Sequence, residues 1–163
     1  MTSGTRQTSK GMKSMKKKTI VPKLRSLRPG EVELLGRLWT DAGLPFRPKG
    51  RDSTQNLRRQ RLRDPQLFVG AFQGATLVGA VIASDDGRKG WINRLAILPS
   101  ARGHGIATML VRHCEKILMK RGRLLLCVHV EAYNTESLKL FEHLGYNKEE
   151  DIFYCTKREN RDY

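Results

Sequence analysis

Residues 95–107 read Leu95-Ala96-Ile97-Leu98-Pro99-Ser100-Ala101-Arg102-Gly103-His104-Gly105-Ile106-Ala107, an apolar strand that breaks at Pro99 and opens through two glycines into an amphipathic helix. A glycine-rich turn at such a joint lets backbone N–H groups approach an anion closely. The free N–H groups and positive dipole end of the following helix add to the attraction. The stretch therefore predicts a phosphate cradle, with a pyrophosphate as its natural occupant. It is not a Walker A loop, because the Gly-Lys-Ser/Thr ending is absent. Nor is it a dinucleotide-binding fingerprint, because Arg102-Gly103-His104-Gly105-Ile106-Ala107 lacks the glycine spacing of Gly-x-Gly-x-x-Gly. Taken alone, the turn would serve equally as a plain strand-to-helix joint.

Its surroundings decide between the two. Downstream stands Asn134-Thr135-Glu136-Ser137-Leu138-Lys139-Leu140-Phe141-Glu142-His143-Leu144-Gly145-Tyr146, and upstream Phe68 to Ser84 alternates and turns as a hairpin. In order and spacing, the two motifs resemble the Arg/Gln-x-x-Gly-x-Gly/Ala and Asn-x-x-Ala-x-x-x-Tyr-x-x-x-Gly-Phe signatures of the GNAT superfamily of N-acetyltransferases. The resemblance covers Val21 to Lys157. Asp86-Gly87-Arg88-Lys89-Gly90-Trp91, before the cofactor strand, is similar to small stand-alone microbial members. The implied fold class is α/β (α+β): the GNAT acyl-CoA N-acyltransferase fold, a mixed central sheet with helices on both faces.

A chain of 163 residues with 39% hydrophobic content suffices for one core without staples. The expected organisation is a flexible basic tail over 1–20 and a single domain over 21–163. The three cysteines, Cys114, Cys127 and Cys155, are odd in number and lack Cys-x-x-Cys spacing. They indicate neither a disulfide framework nor a metal site, and a reducing cytoplasm is the default. No apolar run approaches membrane-spanning length, so no membrane partner is expected. The net charge is +15, and residues 1–23 hold seven Lys/Arg and no acid, about half of that excess. The tail, with Lys16-Lys17-Lys18, reads as a solvated extension. A nucleic-acid or ribosome tether is the less favoured alternative, and Met12 and Met15 leave the start open. A second cluster, Arg47, Lys49, Arg51, Arg58, Arg59, Arg61 and Arg63, falls where relatives of this family shape the acceptor entrance.

The rest of the chain reads as alternating elements. Lys23 to Leu27 is an edge strand; Val32, Leu34, Leu35, Leu38 and Trp39 recur at helical spacing, and Gly43 ends that helix. Ser53 caps a short basic helix, Thr54 to Arg63, with Leu57 and Leu62 as its apolar contacts. Strands follow over Leu67–Phe72, Thr76–Ser84 and Trp91–Ile97. Helix Ile106–Arg121 should bury Met109, Leu110, Ile117 and Leu118; Leu124 to Val130 should lie at the sheet centre. Helix Thr135–Leu144 precedes terminal strands around Tyr146 and Ile152 to Thr156.

The resemblance implies that acetyl-CoA is the acetyl donor and that its pantetheine arm enters between two splayed parallel strands. Leu95 and Ile97 would hydrogen-bond the arm and offer a backbone N–H to the thioester oxygen. Arg102, Gly103, Gly105, Ile106, Ala107 and Thr108 would surround the pyrophosphate. Asn134 would bind the arm, and cap the next helix as well. Where the family carries a tyrosine acid this chain has Phe141, which has no proton to give and becomes a packing residue beside the cofactor. The cofactor strand also lacks a carboxylate. Cys127, His129 and Glu131 share one face of the next strand if it is regular. His129 stands where ribosomal-protein N-terminal acetyltransferases carry glutamate, and an imidazole suits proton removal from an α-amino group. His129, Glu131 and Tyr133 are thus the catalytic candidates; the first two equally fit a hydrogen-bonded pair serving the sheet, and Tyr133 a rim residue. The reading is an N-acetyltransferase in which a primary amine, that of a protein N-terminus or of a small anionic metabolite, attacks the acetyl-CoA thioester directly, the enzyme being a monomer or homodimer. The alternative is a non-catalytic CoA-binding or ribosome-associated module.

Overall fold

The computed structural model describes residues 21–160. The basic tail expected over 1–20 lies outside these residues. β1 (Lys23–Ser26) runs into a single 3-10 turn at Pro29–Glu31. There the Glu31 carboxylate accepts from the Arg28 N–H at 2.7 Å and from both guanidinium nitrogens of Arg25 at 2.6 and 2.7 Å. α1 (Glu33–Ala42) follows and ends where Gly43 adopts φ 72°. α2 (Thr54–Arg63) is capped by the Ser53 hydroxyl, which accepts from the Asn56 N–H. β2 (Phe68–Gln73) and β3 (Thr76–Asp85) form a hairpin closed at Gln73↔Thr76, and β4 (Gly90–Ile97) pairs antiparallel with β3. α3 (Ile106–Lys120) crosses over to β5 (Leu126–Val128), which is parallel to β4, and α4 (Thr135–His143) completes the order.

The sheet order is β1-β2-β3-β4-β5, so it is mixed, as expected. Alternation along its strands feeds two cores. Leu27, Leu35, Leu38, Trp39, Leu57, Phe68 and Ile82 pack between the sheet and the α1/α2 layer. Val69, Val81, Ile92, Leu110, Leu118 and Phe141 pack on the opposite face under α3 and α4. Helices therefore cover both faces.

Several local expectations are corrected. Leu62 is 74% exposed, because Leu57 alone fills the contact of α2 with the core. Leu34 and Met109 also lie on the open sides of their helices. The apolar run 124–130 yields only three residues of strand, and they form the sheet edge rather than its centre; Leu124 is 96% exposed. Apolar composition marks a strand but does not say what flanks it. Terminal strands are absent among the described residues: Ile152, Phe153 and Tyr154 are exposed and have no ladder partner.

Candidate functional site

Pairing between β4 and β5 begins at Gly90↔Leu126 and stops at Ile92↔Val128, while β4 continues five residues further to Ile97. Beyond Ile92 the β5-facing backbone edge of β4 thus has no strand neighbour. An extended arm can use the free backbone groups of such an edge as a strand would, which is the use the resemblance implied for this position. Leu95 and Ile97, half-buried, lie along it.

A bulge aims this stretch. Asn93 pairs with Ile82 and Ala96 with Ala80, so Arg94 and Leu95 together oppose Val81. Arg94 takes φ 47°, the only positive φ of a non-glycine residue among the described residues. Such a conformation costs about 1 kcal/mol or more and persists where surroundings hold it. The bulge resets the alternation. Asn93 faces the α1 layer beside Ser84, and Arg94 faces it too, whereas Leu95 and Ile97 turn to the α3 core and Ala96 packs on the α1 side.

The Arg94 side chain crosses to the loop before α2. Its Nη2 donates to Asp52 Oδ2 at 2.6 Å and its Nη1 to the Pro45 carbonyl at 3.0 Å, with the guanidinium 5.7 Å from the Trp39 ring centroid. Asp52, 7% exposed, also accepts from the Arg47 N–H at 2.8 Å. Burial pulls the Arg94 pKa down, and the Asp52 carboxylate opposes that shift. Sequence reasoning missed this pair; an arginine inside an otherwise apolar strand was the available signal.

At the end of β4 the chain turns through Pro99–Ala101 into the glycine joint. Gly103 and Gly105 adopt φ 76° and 72°, and a Cβ at either would meet nothing within 4 Å, so the cradle is open. No side chain caps α3, whose N-cap is Gly105; its first N–H groups are available to an anion. Ile106 is buried beneath, and Ala107 and Thr108 are half-buried in the first turn. Arg102 reaches sideways: its Nε donates to the Ile97 carbonyl at 3.3 Å and its Nη2 to the Ala42 carbonyl at 2.9 Å, tying the turn to the end of α1. These residues fit a pyrophosphate at the joint and an extended arm in the gap.

Asn134 caps α4, its Oδ1 accepting from the Ser137 N–H at 3.1 Å. Phe141 is 5% exposed and meets Tyr146 edge-on at 5.1 Å, a packing residue as its lack of a hydroxyl implied. The Tyr146 hydroxyl is buried without a well-formed hydrogen bond, and burial together with the nearby Glu115 carboxylate pushes its pKa upward. Burial likewise pushes the Cys114 thiol up to about 12, which leaves it no thiolate to attack with. Among the described residues no cluster of His, Cys, Asp and Glu could hold a metal.

His129 lies just past β5, its exposed ring stacked between Trp91 at 4.9 Å and Tyr154 at 4.6 Å. Trp91 is itself held by Asp86: the carboxylate accepts from the indole Nε1 at 2.9 Å and from the N–H groups of Arg88 and Lys89. These bonds lower the Asp86 pKa to about 2, the indole contact foremost. They account for Asp86 and Trp91 in Asp86-Gly87-x-x-Gly90-Trp91, and Gly90 has a separate steric reason: a Cβ there would fall 2.7 Å from both the Leu118 and Leu126 side chains. Strand geometry ends at Val128, so regular alternation no longer links His129 to Glu131. The exposed Glu131 makes no bond to His129; its carbonyl accepts from the Asn134 N–H at 2.8 Å. Tyr133 is 76% exposed at that turn.

The chain matches the model of the acetyltransferase (GNAT) family over residues 33–146. It is 30% identical over 142 residues to an acetyltransferase of Sodalis glossinidius (strain morsitans), spanning 86% of this chain and 99% of that protein. It is 31% identical over 129 residues to an acetyltransferase of Yersinia pestis (strain Pestoides F), spanning 79% and 90%. Among solved structures it is similar in fold to the PaiA N-acetyltransferase from Thermoplasma acidophilum in complex with coenzyme A. That likeness has a TM-score of 0.70 at 24% identity and covers 80% of this chain and 92% of the other.

Proposed function

The chain belongs to the GNAT family of acetyl-CoA-dependent N-acetyltransferases, and from that premise we propose that it acetylates a primary amine on a protein N-terminus or a small anionic metabolite. The observation that carries the reading is the gap beyond Ile92↔Val128, which ends at an uncapped, glycine-lined helix start. Acetyl-CoA supplies the activated acetyl group. The pantetheine arm is assigned to the β4 edge at Leu95 and Ile97, and the pyrophosphate to Gly103, Gly105, Ile106, Ala107 and Thr108. A backbone N–H of the bulge is the donor to the thioester oxygen, a contact of the kind worth about a hundredfold or more in rate.

The amine attacks the thioester directly. This is supported by the high pKa of Cys114 and by the lack of any activating motif around Cys127 and Cys155. His129 is the proposed base: its exposed ring stands on the same face of the sheet as Trp91, the face that carries α1 and the basic loop. Glu131 and Tyr133, both exposed just beyond His129 in the chain, are further candidates. Phe141 offers no proton, so the CoA thiolate leaves with solvent as its acid. Arg47, Lys49 and Arg51 favour an acceptor that bears a carboxylate or phosphate over a polyamine.

Thiol release from acetyl-CoA tests the reading across a panel of acidic, neutral and basic N-terminal peptides, amino acids with added carboxylates or phosphates, and polyamines. Turnover concentrated in the acidic and phosphorylated members is expected. Turnover with the polyamines alone would overturn the acceptor class, and no turnover with any amine would favour the binding-module alternative.

A further inference from the structure

We propose that Arg94 and Asp52 form a positioning pair that couples the cofactor strand to the acceptor loop, so that seating acetyl-CoA also sets the acceptor wall. The inference rests on the reading that the acceptor enters on the α1 face.

The loop between α1 and α2 spans residues 44–53 and carries Arg47, Lys49 and Arg51 outward. On the α2 side, Asn56 Nδ2 donates to the Gly50 carbonyl at 3.0 Å. Phe46 packs edge-on against Trp39 at 5.4 Å, and the backbone bonds Gly50 N–H to Arg47 carbonyl and Asp52 N–H to Arg47 carbonyl close the loop on itself. The polar attachment to the sheet is Arg94 alone among the described residues, through the Asp52 carboxylate and the Pro45 carbonyl. Asp52 in turn holds the loop by accepting from the Arg47 N–H, and it also meets Arg51 at 3.7 Å.

At its other end the pair is anchored in the bulge. In a regular strand, neighbours point to opposite faces, and Arg94 beside Asn93 would enter the α3 core. The φ of 47° turns it to the α1 face instead, and the same bulge sets the direction of the Leu95 backbone at the edge of the gap. The position of the guanidinium and that of the Leu95 N–H are therefore consequences of one backbone conformation. A ligand arm that hydrogen-bonds this edge stabilises the bulge, and with it the ion pair that holds the loop. Because coupling is reciprocal, an ordered loop also favours the bound arm.

A guanidinium suits this link better than an ammonium. Its planar fork serves Asp52 and Pro45 at once from two fixed nitrogens, whereas a lysine at position 94 would keep the charge on a single nitrogen without that fork. Asp52 has a second consequence: it neutralises the inward cation and leaves the outward ones unpaired with it to meet an anion, apart from the longer Arg51 contact.

Amide hydrogen exchange on the full chain, with and without saturating acetyl-CoA, tests the coupling without any knowledge of the acceptor. In the parent, acetyl-CoA should slow exchange at Arg47, Gly50 and Asp52 by about fivefold or more, the usual lower scale of site-to-site coupling. In Arg94→Gln and in Asp52→Asn that added protection should fall below about twofold, and Arg94→Lys should restore part of it. Measuring three variants guards against one that fails to fold, and a thermal shift with acetyl-CoA reports binding separately. Equal ligand-induced protection in the parent and the variants would overturn the pair. So would an unprotected loop in a parent that binds acetyl-CoA. A parent that does not bind acetyl-CoA at all would instead overturn the acetyltransferase reading on which the pair rests. With an acceptor in hand, the variants should raise its KM more than they lower kcat.

Discussion

At the scale of single residues, the site is built from backbone conformations more than from side-chain chemistry. Gly103 and Gly105 use positive φ to leave an open cradle at the start of α3. Gly105→Glu should abolish the thermal stabilisation by acetyl-CoA, because it strains the backbone and sets a carboxylate against the phosphates. An unchanged melting shift in that variant would remove the cradle from the site. His129 provides the complementary test of side-chain chemistry. His129→Ala should cut kcat/KM by about 10² at pH 7 and recover as pH rises and the amine deprotonates unaided. A pH–rate profile parallel to the parent and lowered less than about threefold would make the ring a stacking residue between Trp91 and Tyr154, with water as the base.

Elements set where those residues meet. β4 belongs to the sheet on both sides at its start and on one side at its end, so one strand carries both a buried scaffold and a binding edge. The Asp86 turn fixes the start of β4 through Trp91, and the bulge fixes its end through Arg94. At the far edge, Glu31 ties β1 to the entrance of α1, and its contact with Arg25 holds its pKa at about 2, well below the usual carboxylate range. A carboxylate lowered on folding stabilises the native state fully above its unfolded pKa and loses that contribution as pH falls through the folded value. Glu31→Gln should therefore destabilise the protein by about 1 kcal/mol at pH 7, a figure kept small because the pair is partly solvated. The difference from the parent should shrink between about pH 4.5 and pH 2. A gap in Tm between the two that is constant over that range would show that the charge of Glu31 is immaterial.

Across the whole molecule the charge is segregated. Residues 1–23 and 44–63 together hold fourteen Lys/Arg and a single acid, Asp52, while the remainder has seventeen basic and fifteen acidic residues. Nearly all of the excess thus lies in the N-terminal segment and in the α1–α2 region. Reversing the outward charges with Arg47→Glu and Lys49→Glu should raise KM for a carboxylate-bearing acceptor by about tenfold, equivalent to about 1.4 kcal/mol, and leave KM for acetyl-CoA within about twofold. The parent's KM for that acceptor should rise with salt, since at physiological ionic strength screening acts beyond about 8 Å. A salt-independent KM, unaltered by the reversal, would separate the basic loop from acceptor recognition.

The glycine joint, the second motif, the caps at Ser53, Gly43 and Asn134, and the alternation of β2 and β3 were legible in the residues themselves, because each is a local rule of backbone freedom or side-chain period. So was Phe141 as a packing residue, since a side chain without a polar group can only pack. What the sequence could not determine is which elements become neighbours. The strand over 126–128 lies at the edge, Leu62 faces solvent, His129 stacks between aromatics from two distant segments, and Arg94 finds Asp52 forty-two residues away. Those outcomes depend on tertiary contacts, in which a strained φ or a buried charge is stable only because a partner remote in sequence is brought to it.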